Sequence, residues 1–141
     1  MNMNYWKEYP PEKFKAIEKD LKSINTDATL GDLVKVISKS KRNIFPVLDD
    51  QGMLVGIILL DNVRDIIFNQ SLYDKIKVME LIVAPPAIVA QKESMTNVMQ
   101  KFEETGAWNL PVTDNGKYVG FISKARIFNM YRKLLVEFSD E

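Results

Sequence analysis

The sequence has no histidine and no cysteine. Without imidazole there is no Ser-His or Cys-His catalytic pair, no His-ligated metal, and none of the side chain that most often moves protons near neutral pH. Without thiols there are no disulfides, thiolate nucleophiles or zinc-thiolate sites, which fits a reducing compartment. Long apolar runs are also missing: Met53 to Leu60 and Ile82 to Val89 fall far short of the roughly 20 residues that a membrane-spanning helix needs. No signal-peptide pattern opens the chain. No direct membrane insertion is expected, and if the chain belongs to a membrane protein it is an excised piece. Neither sign of charge dominates, with 19 Lys and Arg against 19 Asp and Glu. That balance leaves no electrostatic footprint for nucleic acid or an anionic membrane surface, so no nucleic-acid partner is expected.

Apolar residues make up 46% of the 141 positions, enough for one compact core. The sequence then repeats itself. Phe45-Pro46-Val47-Leu48-Asp49-Asp50-Gln51-Gly52 leads to Val55-Gly56-Ile57-Ile58, and Leu110-Pro111-Val112-Thr113-Asp114-Asn115-Gly116 leads to Val119-Gly120-Phe121-Ile122. Each copy has β-branched and aromatic residues flanking an Asp-Gln-Gly or Asp-Asn-Gly turn, whose residues tolerate the positive φ of a β-hairpin. Asp49, Asp50 and Asp114 are accordingly read as turn residues, not metal ligands.

A helical pattern precedes each hairpin. Thr29 is read as the cap of a helix with Leu30, Leu33, Val34 and Ile37 on one face; Ser94 as the cap of one carrying Met95, Val98, Met99 and Phe102 and ending near Gly106. After the hairpins, Asp61 begins a segment with Val63, Ile66 and Ile67, and Ser123 begins one with Ile127, Met130, Tyr131, Leu134 and Leu135. Short opening strands are expected at Lys22 to Ile24 and at Ala87 to Val89. A further helix is expected after Pro10-Pro11, with Phe14, Ile17 and Leu21 on one side. The fold class is α+β: two βαββα repeats plus an N-terminal helix. The organisation reads as 1–20 N-terminal helix and linker, 21–70 first repeat, 71–82 a connector that packs, 83–135 second repeat, and 136–141 tail.

This doubled order, with its apolar-Pro-Val hairpin and Val-Gly-apolar-Ile strand, resembles the CBS domain, which usually works as a pair called a Bateman module. The resemblance covers roughly Leu21 to Lys133 and implies two repeats packed with pseudo-two-fold symmetry. Three stretches narrow it: Ser38-Lys39-Ser40-Lys41-Arg42-Asn43-Ile44-Phe45-Pro46-Val47, Gly56-Ile57-Ile58-Leu59-Leu60-Asp61, and Thr105-Gly106-Ala107-Trp108-Asn109-Leu110-Pro111-Val112. These resemble the CBS pair that follows the membrane domain of bacterial ClC-type chloride channels, particularly those of Bacteroidetes.

In such a family many members bind adenosine nucleotides in two clefts, through an apolar adenine slot, a ribose carboxylate and a phosphate-binding hydroxyl. The Ser/Thr-x-x-Asp signature falls on Leu59 and Asn62 in the first copy and on Ser123 and Arg126 in the second. Neither copy keeps the carboxylate. Asn62 retains uncharged hydrogen bonding, and Arg126 offers a forked cation suited to phosphate at a helix N-terminus. The resemblance implies one nucleotide site of Ser23, Asn43, Phe45 and Pro46 with Ser123 and Arg126. It implies another of Ala87, Ile88, Trp108 and Asn109 with Leu59 and Asn62. Plainer roles stand beside these. Ser123 and Asp61 are read as helix caps, Arg126 as a surface or interface ion-pair partner, Trp108 as a packing anchor at a dimer interface, Phe45 and Leu110 as core, and Lys39, Lys41 and Arg42 as a solvated turn.

The implied function is a non-enzymatic regulatory module at the cytoplasmic face of the inner membrane. It forms a homodimer and acts on the membrane domain of a parent chloride channel. No cofactor is required, with ATP, ADP or AMP as the candidate regulatory ligand. Apolar faces at Ile66, Ile67 and Phe68, and at Phe128, Tyr131 and Leu135, supply the dimer surface. The alternatives are a structural dimerisation element with empty clefts, or a free-standing CBS-pair nucleotide sensor. No catalytic residues and no metal ligands are assigned.

Overall fold

The computed structural model describes residues 8–19 and 22–139. They divide into two compact units that do not follow the chain in order. One holds residues 22–85 with 116–118 and is called the first-repeat unit; the other, the second-repeat unit, holds 8–19, 86–115 and 119–139.

In the first-repeat unit the order is β2 (Ile24–Asn25), α1 (Leu30–Ser38), β3 (Ile44–Leu48), β4 (Leu54–Leu59) and α2 (Leu60–Val63). Helix α1 starts where the sequence signals it: Thr29 Oγ1 accepts from the Asp32 N–H, and the Asp32 carboxylate accepts from the Thr29 N–H in return. This reciprocal pair satisfies two donors that a helix start leaves open. Strand β3 pairs antiparallel with β4 and parallel with β2. The turn between β3 and β4 is closed by Asp49, whose Oδ1 accepts from the Gln51 and Met53 N–H groups at 2.9 Å each, with Gly52 at φ 81°. Leu30, Leu33, Phe45, Val47, Ile58, Val63 and Val78 form the core. The connector does pack: Leu72, Tyr73, Ile76, Leu81 and Ile82 lie against that core.

The second-repeat unit contains β5 (Val89–Ala90), α3 (Met95–Thr105), β6 (Asn109–Asp114), most of β7 (Lys117–Ser123) and α4 (Lys124–Ser139). Ser94 Oγ accepts from the Asn97 N–H at 3.3 Å, and Gly106, at φ 68°, ends α3 with its N–H on the Phe102 carbonyl. That is the left-handed stop for which glycine carries no Cβ penalty. Val98, Phe102, Leu110, Val112, Ile122 and Ile127 are wholly buried. Both units therefore realise the βαββα order, and the α+β class holds.

Three expectations need correction. The opening strands lie slightly further along than expected, at Ile24–Asn25 and Val89–Ala90, because the residues that pair with Val47 and Val112 are Ile24 and Val89, both buried. Helix α2 spans only four residues, and Ile66 and Ile67 follow it in turns packed on the core. The third correction is larger. The helix expected after Pro10-Pro11 is a single 3-10 turn, Pro11–Phe14, after which Ile17–Glu18 forms strand β1 (Leu21 lies outside the described residues). Strand β1 pairs antiparallel with β7, giving the sheet order β1-β7-β6-β5. Ala16 and Ile17 are buried there, so tertiary pairing overrides the helical spacing.

That pairing explains the second motif glycine, Gly120. A Cβ at Gly120 would lie 2.1 Å from the Glu18 carbonyl oxygen, so only glycine admits β1 alongside. Gly56 is less strictly required in the first-repeat unit: a Cβ there would meet Ile82 and the Val83 carbonyl at 3.2 Å, tight contacts that a small shift relieves, and Ile57 bridges Val83. Gly120→Ala is therefore expected to cost about 1–3 kcal/mol by overpacking and to raise amide exchange selectively at residues 8–19. A chemical-denaturation series with hydrogen-exchange mass spectrometry reads both.

The Asp32 carboxyl is held below its ordinary value of 3.8, chiefly by the Thr29 N–H and further by the Thr29 hydroxyl, Lys35 and Lys77, against a smaller opposing effect of burial. A folded pKa below the unfolded one gives stability that is present above 3.8 and is lost as the pH falls through the folded value. Asp32→Asn should be less stable than the wild type at neutral pH, and the gap should close in acid below 3.8. Urea midpoints measured across that range check it.

Candidate functional site

The residues that start α4 also organise its surroundings. Ser123 ends β7, and its Oγ accepts from the Arg126 N–H at 3.0 Å, capping the helix. The Lys124 N–H donates to the Trp108 carbonyl at 3.0 Å, which ties the entry of β6 to the helix start. The start of α2 repeats this backbone geometry: the Leu60 N–H donates to the Asn43 carbonyl at 2.9 Å. Asn43, Leu59 and Asn62 thus hold the positions in one unit that Trp108, Ser123 and Arg126 hold in the other.

The side chains differ sharply between the two. Leu59 stands at the cap position of α2 and offers no hydrogen bond. Asp61 does not cap, contrary to expectation, because the helix begins one residue before it; its carboxylate instead pairs with Arg64 on the exposed surface. In the second-repeat unit the cap is present, and Arg126 reaches back to the N-terminal segment. Its Nη2 donates to the Lys15 carbonyl at 2.8 Å, and its Nη1 lies 3.7 Å from Glu18 Oε1. The reading of Arg126 as an ion-pair partner is what the geometry displays.

Around this contact lies a pocket of about 510 Å³ lined by Lys15, Glu18, Ser123, Arg126, Asn129 and Lys133 among others. Three cations and a hydroxyl surround a single carboxylate, an environment suited to an anion. Lys15, Glu18, Asn129 and Lys133 are additions to the residues singled out from sequence. Arg126, Asn129 and Lys133 recur at helical spacing along α4, a signal that was available; Lys15 and Glu18 carried none.

The remaining candidates are divided between the two units. Trp108 is 72% exposed, so it anchors no packing within its unit, and Lys124 Nζ lies 5.3 Å from its ring and 5.9 Å from that of Phe128. Ala87 packs on the core, Ile88 is exposed with its carbonyl bound by Lys101 Nζ at 2.7 Å, and Asn109 is half-buried at the start of β6. In the first-repeat unit Ser23, Asn43 and Asn62 are exposed, whereas Phe45 and Pro46 are buried. Phe45 and Leu110 are core, as read from sequence. Lys39, Lys41 and Arg42 are exposed in the turn after α1. Among the described residues no cluster of three or more acidic side chains could hold a metal ion, and no helix is long and apolar enough to cross a membrane.

A doubled βαββα unit with a glycine-dependent outer strand defines a class, and comparison with known families identifies it. The CBS domain family matches at residues 14–69 and again at 78–133. The chain belongs to the CBS domain family and carries two copies of the domain. Among solved structures it is similar to the CBS domain of a CBS domain containing membrane protein from Sphaerobacter thermophilus, with TM-score 0.73, 18% identity and 91% of each chain covered. It is similar to the CBS domain of the bacterial CNNM/CorC family Mg2+ transporter in complex with ATP (TM-score 0.73, 16% identity, 89% of each chain). It is also similar to CBSX2 in complex with AMP (TM-score 0.72, 23% identity, 89% of this chain and 98% of that one). At these identities the likeness is one of fold. No curated protein matches the chain.

The unequal helix starts predict unequal mutational costs. Ser123→Ala should destabilise by about 1 kcal/mol, the usual loss of a cap, while Asp61→Ala should stay within about 0.5 kcal/mol, as for an exposed pair. Equal losses in thermal or urea unfolding would contradict the assignment.

Proposed function

We propose that this chain is a non-catalytic regulatory CBS pair that forms a homodimer, biases a membrane transport protein, and takes an adenine nucleotide as its effector. The observation that carries this reading is the completeness of both repeats: the family matches twice and both copies fold as βαββα. Support for the ligand class comes from the same fold having been solved with ATP in one relative and with AMP in another. Support for a membrane partner comes from relatives that are parts of a membrane protein and of a Mg2+ transporter. The stretches 38–47, 56–61 and 105–112 point to a ClC-type chloride channel as that partner, and with it to the cytoplasmic face of the inner membrane. Phe68, 86% exposed, with Phe128, Leu135 and Val136, offers apolar surface for dimerisation; Ile66 and Ile67 contribute less than expected because they pack on their own core.

A nucleotide regulates such a module only by binding two conformations with different affinity. A structural dimerisation element is favoured instead by one observation: Leu59 and Asn62 supply neither hydroxyl nor carboxylate, and Arg126 is engaged by Lys15 and Glu18. Calorimetric and thermal-shift titrations with ATP, ADP and AMP, run beside light scattering, separate the two. Saturable binding with a rising melting temperature is expected for the sensor, since a ligand of the native state stabilises it by mass action. A dimer that ignores millimolar nucleotide would leave the structural element as the function.

A further inference from the structure

Helices α3 and α4 of the second-repeat unit leave a groove of about 550 Å³ between them. Met95 and Ile127, both buried, lie at its base, and Met99, Phe128 and Tyr131 line it further out, with Phe128 39% exposed. Among the described residues that line it, Glu103 is the single charged one. Its size falls within the roughly 300–1,000 Å³ of clefts that take a ligand-sized group. Thioethers make favourable contacts with aromatic rings, and a lone carboxylate attracts a cation. The groove is therefore suited to an aromatic group that stands beside a positive charge.

The chain brings such a group to this place. The Tyr9 carbonyl accepts from the Met95 N–H at 3.1 Å, which fixes the N-terminal segment at the first residue of α3, itself part of the groove. Buried Pro11, and Lys13 Nζ at 3.6 Å from the centroid of the Tyr9 ring, keep that segment where it is. Just ahead in the sequence stands Tyr5-Trp6-Lys7 (residues 1–7 lie outside the described residues). Three residues of extended chain reach roughly 10 Å, and Met95 and Glu103 are about 12 Å apart along the axis of α3. From its tether at Tyr9, Trp6 is within reach of most of the groove, and so short a tether holds it there at an effective concentration on the order of millimolar.

We propose that the groove between α3 and α4 is the seat of the chain's own Tyr5-Trp6-Lys7 segment, with Trp6 as the apolar anchor and Lys7 as the cation that Glu103 attracts. A seated indole covers apolar surface that the two helices otherwise present to water, and its N–H finds an acceptor in the Glu103 carboxylate. The seat needs no nucleotide. By covering Phe128 it also limits the apolar face open to a second copy; that consequence rests on the dimer reading above, whereas the seat does not.

The test uses the full chain with Trp108→Phe, which leaves Trp6 as the one tryptophan. Its fluorescence should be blue-shifted, and quenching by acrylamide should be several-fold weaker than in the urea-unfolded chain. Met99→Glu should raise the quenching several-fold. Glu103→Lys, at an exposed position that leaves the fold intact, should raise it by less, and high salt should narrow its difference from the parent by screening the charges; this variant keeps the test decisive if Met99→Glu fails to fold. An indole as open to acrylamide in the folded chain as in the unfolded one overturns the proposal. Shielding that both folded variants leave unchanged overturns it too, as does shielding that disappears when light scattering shows the protein diluted to a monomer, since a second copy would then be what covers Trp6.

Discussion

The missing methyl group at Gly120 is the constraint on which the second-repeat unit depends. Any Cβ there would collide with the backbone of Glu18, so the absence of a side chain is what lets β1 lie on β7. With β1 in place Ala16 and Ile17 are buried, and the Arg126 guanidinium finds its acceptors. Gly56 lies close to Ile82 and Val83 too, but there a Cβ would be crowded and not excluded. The glycine of the second Val-Gly-apolar-Ile strand is thus explained by close backbone approach and not by a turn.

Once that backbone is fixed, the two repeats diverge where chemistry would occur. Both present the last helix start beside a backbone carbonyl of the hairpin entry. One is uncapped, short and uncharged at Leu59 and Asn62; the other is capped by Ser123, runs for 16 residues and carries a cation. Local chemistry alone separates a plain structural corner from a basic pocket, although the surrounding strands follow one pattern.

Much of this was legible in sequence because it is local. The capping pairs at Thr29 and Ser94, the Asp-led turns and the left-handed stop at Gly106 each depend on residues a few positions apart. The doubled pattern gave the family for the same reason. Strand β1 was illegible because two residues are too few to display a period, while Ile17 stands at helical spacing from Phe14 and Leu21. The acceptors of Arg126 were hidden as well: they lie more than a hundred positions upstream, and nothing near Arg126 announces them. The error at Asp61 was one of register, since a helix that begins one residue earlier turns a cap into a first-turn side chain.

The strand at Ile17 also imposes an order on biosynthesis. Its pairing partner, Ile122, is made about a hundred residues later. Most of the first-repeat unit can assemble while synthesis continues, since it draws chiefly on residues 22–85. The second cannot close until β7 has been made and pairs with β1. Long-range closures of this kind are slow steps in folding, and until β1 docks, the edge of β7 is open to the equivalent segment of a neighbouring chain.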